Sequence, residues 1–501
     1  PAIRDVGGSG PAIPNVAGSG PAIPDVGGGG PAAVDEHGRP VPADAGVGRP
    51  GAAGIAGHSL HPVQAKMVEC GGSQCGYCTP GFVMSMFAGY YGRNASWDEE
   101  LAGNLCRCTG YLPVRRAAHS LGAPSPEDPF LSKLTEPYSP PASLAYSSGG
   151  QAFYRPASLP ELFELLEAHP SARIVAGGTD LGLEVTKRFE EFPVLISLRC
   201  VEELKAFRRT PDAWEIGAGA TFSEVEAFLA GLTAGEAEEL RALSDILPLF
   251  ASRQIRNAAT VGGNLVNASP VGDLAPVLLS LDARVRLVRA ASERTTSVRT
   301  AGESPAAELP TSERLATSDA PTERPTTGPA TSECLTTWDA TTERPMTERT
   351  LHLDEFFTGY RKTALQPGEI LASVSIPRAS APGAVRRLSR AYKVARRSRV
   401  DISSVSAAFA VDLAEDGRVA RARIGFGGVA ATPVRARECE RFLAGRAWSR
   451  ETVEKAVEVL RGEFSPISDL RAGAEYRRAL SANLLRKFFG DTAEMSPMPR
   501  R

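Results

Sequence analysis

The chain has 501 residues, which at roughly 150 residues per domain corresponds to about three domains. Its 56 Lys and Arg against 58 Asp and Glu leave a net charge of −2, so the charge gives no reason to expect a nucleic-acid or anionic-membrane partner. No run approaches the ~18 apolar residues needed to cross a bilayer. Hydrophobic residues make up 42%, enough for sizeable cores, while 49 Gly and 39 Pro exceed average usage and must concentrate somewhere.

The first concentration is at the N-terminus. Residues 1–30 read as three ten-residue units, PAIRDVGGSG, PAIPNVAGSG and PAIPDVGGGG, fading out by residue 57. These Pro/Gly units show no apolar period of 2 or 3.6, so 1–57 is expected to be low-complexity and disordered. The chain begins at Pro1 and reads as processed or trimmed. A secretory signal would need a charged start and an apolar core, and neither is present, so a cytoplasmic location is expected.

Five of the eight cysteines lie between Cys70 and Cys108. Cys75 and Cys78 form C-x2-C; after a gap of 27 residues, Cys106 and Cys108 form C-x-C. Clustering of this kind points to metal rather than a disulfide framework. Four thiolates on two tight loops can enclose either zinc or a [2Fe–2S] cluster, and the C-x-C hook favours two ligands on one iron. Pro80 is placed to open a helix through Phe82–Phe87, expected to be buried and to aim its first amides at the sulfurs. Ser96-Trp97-Asp98-Glu99 carries the Ser-x-x-Glu pattern of a capping box, predicting a second helix that ends near Cys106. Cys70 is expected as a spare buried thiol, with Cys200 and Cys439 filling core space.

Gly72-Ser73-Gln74-Cys75-Gly76-Tyr77-Cys78-Thr79-Pro80-Gly81, with Asn104-Leu105-Cys106-Arg107-Cys108-Thr109-Gly110-Tyr111 and His61-Pro62-Val63-Gln64 upstream, resembles the helical [2Fe–2S] domain of the molybdenum hydroxylases. The gap of 27 is a few residues shorter than that family shows, which implies a shorter helix before Cys106.

From Gln151 onward the pattern is mixed α/β. Pro160–Ala168 is helical by its Leu/Phe spacing and Arg173–Ala176 reads as a short strand. The strand runs into Gly177-Gly178-Thr179-Asp180-Leu181, where consecutive glycines let backbone N–H groups approach a phosphate. Such turns are common and most bind nothing. No G-x-G-x-x-G or Walker motif occurs, so neither a Rossmann site nor a P-loop is supported. Residues 250–274 are rich in Gly, Asn and Ser and too irregular for an amphipathic helix. They read as a long surface loop or as the lining of a polar ligand site. Between 292 and 349, Glu recurs every ten residues, and Thr, Ser, Pro and Glu supply 29 of the 50 positions in 301–350. This is expected to be a second low-complexity insertion, since its units carry too few apolar residues to stack.

Both glycine-rich segments, in this order, resemble the FAD-binding domain of the same family. The likeness continues through Tyr360–Leu365, Gly368–Leu371 and Ala391-Tyr392-Lys393 to a C-terminal domain holding Ile424–Val429 and Asn483-Leu484-Leu485. The resemblance implies an α+β multidomain fold: a helical [2Fe–2S] domain at 58–121, a linker at 122–150, a two-part α/β FAD-binding domain at 151–380, an α+β C-terminal flavoprotein domain at 381–490 and a tail at 491–501. Carried over by position, Cys75, Cys78, Cys106 and Cys108 hold the cluster. Val175, Ala176, Gly177, Gly178, Thr179, Asp180 and Leu181 cradle the FAD pyrophosphate. Thr260, Gly263, Asn264, Ser269 and Asp273 contact the cofactor from the second loop. Phe250 packs near the isoalloxazine, Leu371 covers the adenine side, and Lys393 lies close to the flavin or its phosphates.

The implied activity is that of the iron–sulfur and flavin subunit of a xanthine dehydrogenase-type molybdenum hydroxylase in a hetero-oligomer. Electrons pass from a molybdenum-cofactor large subunit through the cluster to FAD and on to NAD+. An aldehyde or CO dehydrogenase-type flavin subunit, a zinc-binding module and a degenerate flavoprotein are the alternatives. Two departures stand out: no Cys precedes Cys70, so the family's plant-type ferredoxin domain is missing from the sequence. Arg396–Val400 also lacks the acidic residues expected before Asp401, which would favour an anionic reduced flavin.

Overall fold

A computed structural model describes residues 60–92, 96–136, 143–291, 346–378, 381–397 and 400–493. The N-terminal repeats and the tract at 292–345 lie outside these residues, as do Ser398 and Arg399.

Four short helices build the cysteine domain: α1 (Pro62–Glu69), α2 (Thr79–Tyr91), α3 (Trp97–Leu101) and α4 (Leu112–His119). Val63, Met67, Phe82, Met86, Leu101, Val114 and Ala117 pack between them. Pro80 opens α2 as expected, its missing N–H costing nothing in the first turn. Only one face of that helix is buried, however, and Met84 on the other side is 63% exposed. Ser96 caps α3 by position, but its side chain makes no cap hydrogen bond, and α3 ends at Leu101, before reaching Cys106. Cys70 and Cys200 are half-buried rather than enclosed, whereas Cys439 is buried in the C-terminal core.

The region read as a linker carries regular structure among its described residues. It contains α5 (Pro129–Thr135), capped by the Asp128 side chain, and the first strand, β1 (Leu144–Ser148). β1 pairs antiparallel with β2 (Gln151–Arg155). Next come α6 (Leu159–Ala168), β3 (Arg173–Val175), α7 (Leu181–Arg188) and β4 (Val194–Ser197). β4 lies parallel to both β2 and β3, giving the order β1-β2-β4-β3. The start of α6 is fixed reciprocally: Ser158 Oγ accepts from Glu161 N–H, and the Glu161 carboxylate accepts from Ala157 N–H.

A second sheet follows, from β5 (Phe207–Arg209), β6 (Ala213–Gly217), β7 (Arg284–Ala290), β8 (Met346–His352) and, beyond the β9–β10 ribbon (Phe357–Gly359 and Lys362–Thr363), β11 (Ile370–Pro377). Its order is β5-β6-β11-β7-β8, antiparallel throughout. β8 pairs fully with β7 from Met346, so a regular strand lies inside the segment read as low-complexity to residue 349. Between β6 and β7 run α8 (Phe222–Ala230), α9 (Ala234–Glu239), α10 (Arg241–Ile246), α11 (Arg253–Arg256), α12 (Val261–Val266) and α13 (Leu274–Ser280). The segment at 250–274, read as a surface loop or the lining of a polar ligand site, contains the short helices α11 and α12, begun by the polar caps Ser252 and Thr260. The helix α14 (Leu353–Phe356) closes this core.

The C-terminal domain is an antiparallel sheet, β12 (Ala384–Val394), β13 (Val405–Ala414), β14 (Val419–Gly427) and β15 (Val434–Arg435), covered by α15 (Arg437–Leu443), α16 (Arg450–Glu463) and α17 (Ala474–Ala493). α17 runs three residues past the expected domain end at 490.

Buried ion pairs join this domain to the one before it. Asp412, with no exposed side-chain surface, accepts from Ala381 N–H and from Arg387, Arg421 and Arg423. Arg423 also reaches Asp282 at 3.0 Å, in the turn between α13 and β7, as does Arg435. Burial acts to raise the Asp412 pKa, but Arg387, Arg423 and the Ala381 amide outweigh it and hold it below the ordinary carboxylate value. A carboxyl whose folded pKa lies below its unfolded value, about 3.9, stabilises fully above that pH and loses its contribution as pH falls through the folded pKa. Asp412→Asn should therefore lower unfolding free energy by about 3–5 kcal/mol at neutral pH. Denaturant melts should show that difference shrinking as pH falls below about 4.

Candidate cofactor-binding site

The two cysteine loops converge. Cys75 Sγ lies 3.6 Å from Cys108 Sγ, and Cys106 Sγ lies 3.8 Å from Cys108 Sγ. Thiolates sharing a tetrahedral metal with ~2.3 Å bonds stand roughly 3.7 Å apart, so the spacing fits metal-bound sulfur. The shortest contact crosses between loops rather than joining the C-x-C pair. Among the described residues, no three His, Cys, Asp or Glu side chains are arranged to hold one ion.

Turn amides, not the start of α2, are what reach the sulfurs. Thr109 donates to Cys106 Sγ through its N–H (3.4 Å), and its hydroxyl lies 3.0 Å from the same sulfur. Those bonds lower the Cys106 pKa to about 6, and the Tyr77 amide lowers that of Cys75. Burial raises Cys78. For Cys108 the Cys75 amide acts to lower the pKa, but the neighbouring thiols of Cys75 and Cys106 together with burial raise it. In metal-free protein, alkylation of Cys106 should plateau by about pH 7, whereas that of Cys78 should still climb above pH 9. Peptide mapping after timed iodoacetamide treatment reads both rates.

The two glycine-rich loops, 80 residues apart in sequence, meet backbone to backbone. A Cβ on Gly177 would stand 2.0 Å from the Ala258 carbonyl oxygen, so only glycine allows this approach. Gly178 follows at φ +70 and turns the chain into α7. Across the junction, Asn267 Nδ2 donates to the Asp180 carboxylate. Thr260 Oγ accepts from Gly263 N–H at 3.0 Å, making Thr260 the N-cap of α12. Asn264 Oδ1 is buried and has no hydrogen-bond partner among the described residues. A buried acceptor left unpaired costs free energy unless a donor completes it.

Other expected residues are placed differently. Lys393 Nζ makes a buried 2.8 Å ion pair with Asp273, whose other oxygen accepts from Ser403. Lys393 and Asp273 are thus brought together, but as a neutralised pair locking β12 to the start of α13 rather than as a free cation. Leu371 is 4% exposed in the core of the second sheet, opposite Leu287, so its side chain offers no open face for a ring. Phe250 is half-buried and packs edge-on against Phe222, with ring centroids 4.2 Å apart. Ser269 is half-buried, its carbonyl accepting from Gly272 N–H, and Pro270 O accepts from Gly428 N–H of the C-terminal domain. A depression of about 360 Å³ at the β1–β2 turn, lined by Ser147–Ala152, Pro193 and Val194, carries no charged side chain and lies apart from these loops.

Sequence reading missed Arg253, Gln254 and Arg256, which leave the second loop for the cysteine domain. Their signal was present in the irregular Ser-Arg-Gln-Ile-Arg-Asn run, but their partners Ser85, Glu99 and Glu100 lie more than 150 residues away.

Residues 51–119 match the domain family described as a [2Fe–2S] binding domain. Residues 146–313 match the FAD binding domain in molybdopterin dehydrogenase, and 390–492 match the CO dehydrogenase flavoprotein C-terminal domain. Curated relatives include xanthine dehydrogenase of Drosophila subobscura, 29% identical, and xanthine dehydrogenase 1 of Arabidopsis thaliana, 28% identical. In both cases 86% of this chain aligns, but only 32% of the relative, so the chain spans about a third of their length. Among solved structures, quinoline 2-oxidoreductase from Pseudomonas putida 86 superposes with a TM-score of 0.51 at 22% identity, over 70% of this chain and 98% of that one. Reconstituted CO dehydrogenase from Oligotropha carboxidovorans gives 0.50 at 24% identity, over 66% and 94%; both likenesses concern the fold. With these three domain families in this order, the chain is a relative of the molybdenum hydroxylases that carries their [2Fe–2S]-binding and flavin-binding domains.

Proposed function

We propose that this chain is the electron-transfer component of a xanthine dehydrogenase-type molybdenum hydroxylase. It receives electrons from a molybdenum-bearing large subunit and delivers them through flavin to NAD+. The observation that carries this reading is the meeting of the two remote glycine-rich loops at Gly177 and Ala258, beside the unpaired Asn264 Oδ1. The curated relatives' name, xanthine dehydrogenase, supports the substrate class.

In this reading Cys75, Cys78, Cys106 and Cys108 hold the [2Fe–2S] cluster; the Cys75–Cys108 and Cys106–Cys108 Sγ separations match thiolates that share a metal. Backbone amides of Val175–Leu181 face the FAD pyrophosphate, and a flavin donor completes Asn264 Oδ1. Bound FAD supplies the exchange between one-electron and two-electron chemistry. Thr260 shapes the second loop by capping α12, and the Lys393–Asp273 pair fixes the start of α13. Cys75 and Cys108 are exposed, and their sequence neighbours Tyr77, Leu105 and Leu112 present apolar side chains to solvent. That uncovered apolar rim supports docking of the large subunit at the cysteine end.

Metal and flavin analysis of the purified full chain should find two irons and one FAD, with a cluster and flavin absorption spectrum; zinc without flavin would sink the reading. Cys106→Ser should lose the iron and keep FAD. Gly177→Ala should do the reverse, weakening FAD retention at least about tenfold with the iron intact, because the added Cβ forces the loops apart. Anaerobic NADH should bleach the flavin band of the loaded chain; bleaching by other reductants alone would refute NAD+ as the acceptor.

A further inference from the structure

The one-turn helix α11 belongs to the flavin-binding part, yet its side chains end in the cysteine domain. Arg256, 2% exposed, pairs with Glu226 on α8 and Glu99 on α3, and donates to the Phe250 carbonyl. Arg253 lies 3.3 Å from Glu100. Between them Gln254 Nε2 donates to Ser85 Oγ at 3.0 Å, while Asn104 Nδ2 donates to the same oxygen at 2.7 Å. Ser85 thus uses both acceptor positions to join Gln254 to Asn104, two residues before Cys106. The other end of the amide abuts the same turn: a Cβ on Gly103 would stand 1.9 Å from Gln254 Oε1.

The opposite end of α11 is the flavin junction. Ala258 N–H and Ala259 N–H both donate to the Ile255 carbonyl, so the residue packed against Gly177 is hydrogen-bonded to the turn that carries Gln254. Arg256 pins this turn through three charged or polar partners, and so it moves as one piece. Contacts therefore run unbroken from Ala258 through this turn to Gln254, and through Ser85 and Gly103 to the residues just before Cys106.

We propose that Gln254 is a positioning residue that couples flavin occupancy to the placement of the Cys106–Cys108 turn. The inference rests on the preceding reading, in which those loops hold FAD and those cysteines hold the cluster. Arg256 is the anchor and Gln254 the link: loss of Arg256 strands Glu99 and Glu226 beside a void, whereas loss of the neutral Gln254 leaves Ser85 bonded to Asn104.

The test uses the full chain loaded with iron and FAD and reads the EPR line shape of the reduced cluster before and after flavin removal. In the wild type the line shape should change on flavin removal and return when FAD is added back. In Gln254→Leu the two states should superimpose, with iron and FAD contents at the wild-type level. Gly103→Ala should behave like Gln254→Leu, because its Cβ displaces the amide from Ser85; it also serves if Gln254→Leu fails to fold. A wild-type line shape indifferent to flavin, or a Gln254→Leu cluster that still responds, overturns the inference. A wild type that takes up no iron or no flavin overturns the functional reading as well, so the two failures are distinct.

Discussion

The contact between Gly177 and the Ala258 carbonyl is the constraint on which the flavin-binding part depends. Its geometry permits no side chain, so two peptide segments lie flush. Everything around it holds that closeness. β3 delivers Val175 to the edge of the first sheet beside β4, and Val261 and Gly262 donate to the Ala220 and Ala218 carbonyls that follow β6. The two sheets share no strand, but besides these loop contacts Leu162 and Ile196 of the first layer pack with Val288, Ile370 and Ala372 of the second.

Charge does the work at the domain boundaries. Arg256 on one side and Arg423 on the other are each 2% exposed, and each is balanced by one carboxylate from its own domain and one from a neighbouring domain. A buried pair of this sort adds little net stability over an apolar contact, but breaking it by removing one partner is costly. Its effect is to reject alternative placements of the domains. The C-terminal domain reaches further, with Arg477 donating to the Gly428 carbonyl while Gly428 N–H donates to Pro270, so α17 supports the second glycine-rich loop through one intermediate residue.

Some elements were legible because their signals are local. Pro80 opening α2, the Leu/Phe spacing of α6, and strand β3 running into Gly-Gly depend on residues a few positions apart. The capping box at Ser96 was not formed, because α3 is only five residues long and its end is set by packing against α2 and α4. The 250–274 run looked like a loop because helices of four to seven residues are too short to show a period. Their stability comes from burial under the second sheet rather than from sequence pattern.

The sequence by itself determined the cysteine spacing, the two glycine-rich segments and their order, and hence the kind of cofactors this chain is built around. Those features are chemical and local, and they survive in one dimension. Tertiary structure alone decided that Lys393 is spent on Asp273, that Leu371 is sealed in a sheet core, and that Gln254 and Arg256 serve the cysteine domain instead of the flavin loop. Each of those outcomes is a choice between partners more than 80 residues apart. A charge or an amide carries no record of its partner until folding removes water from around it and makes an unpaired group costly.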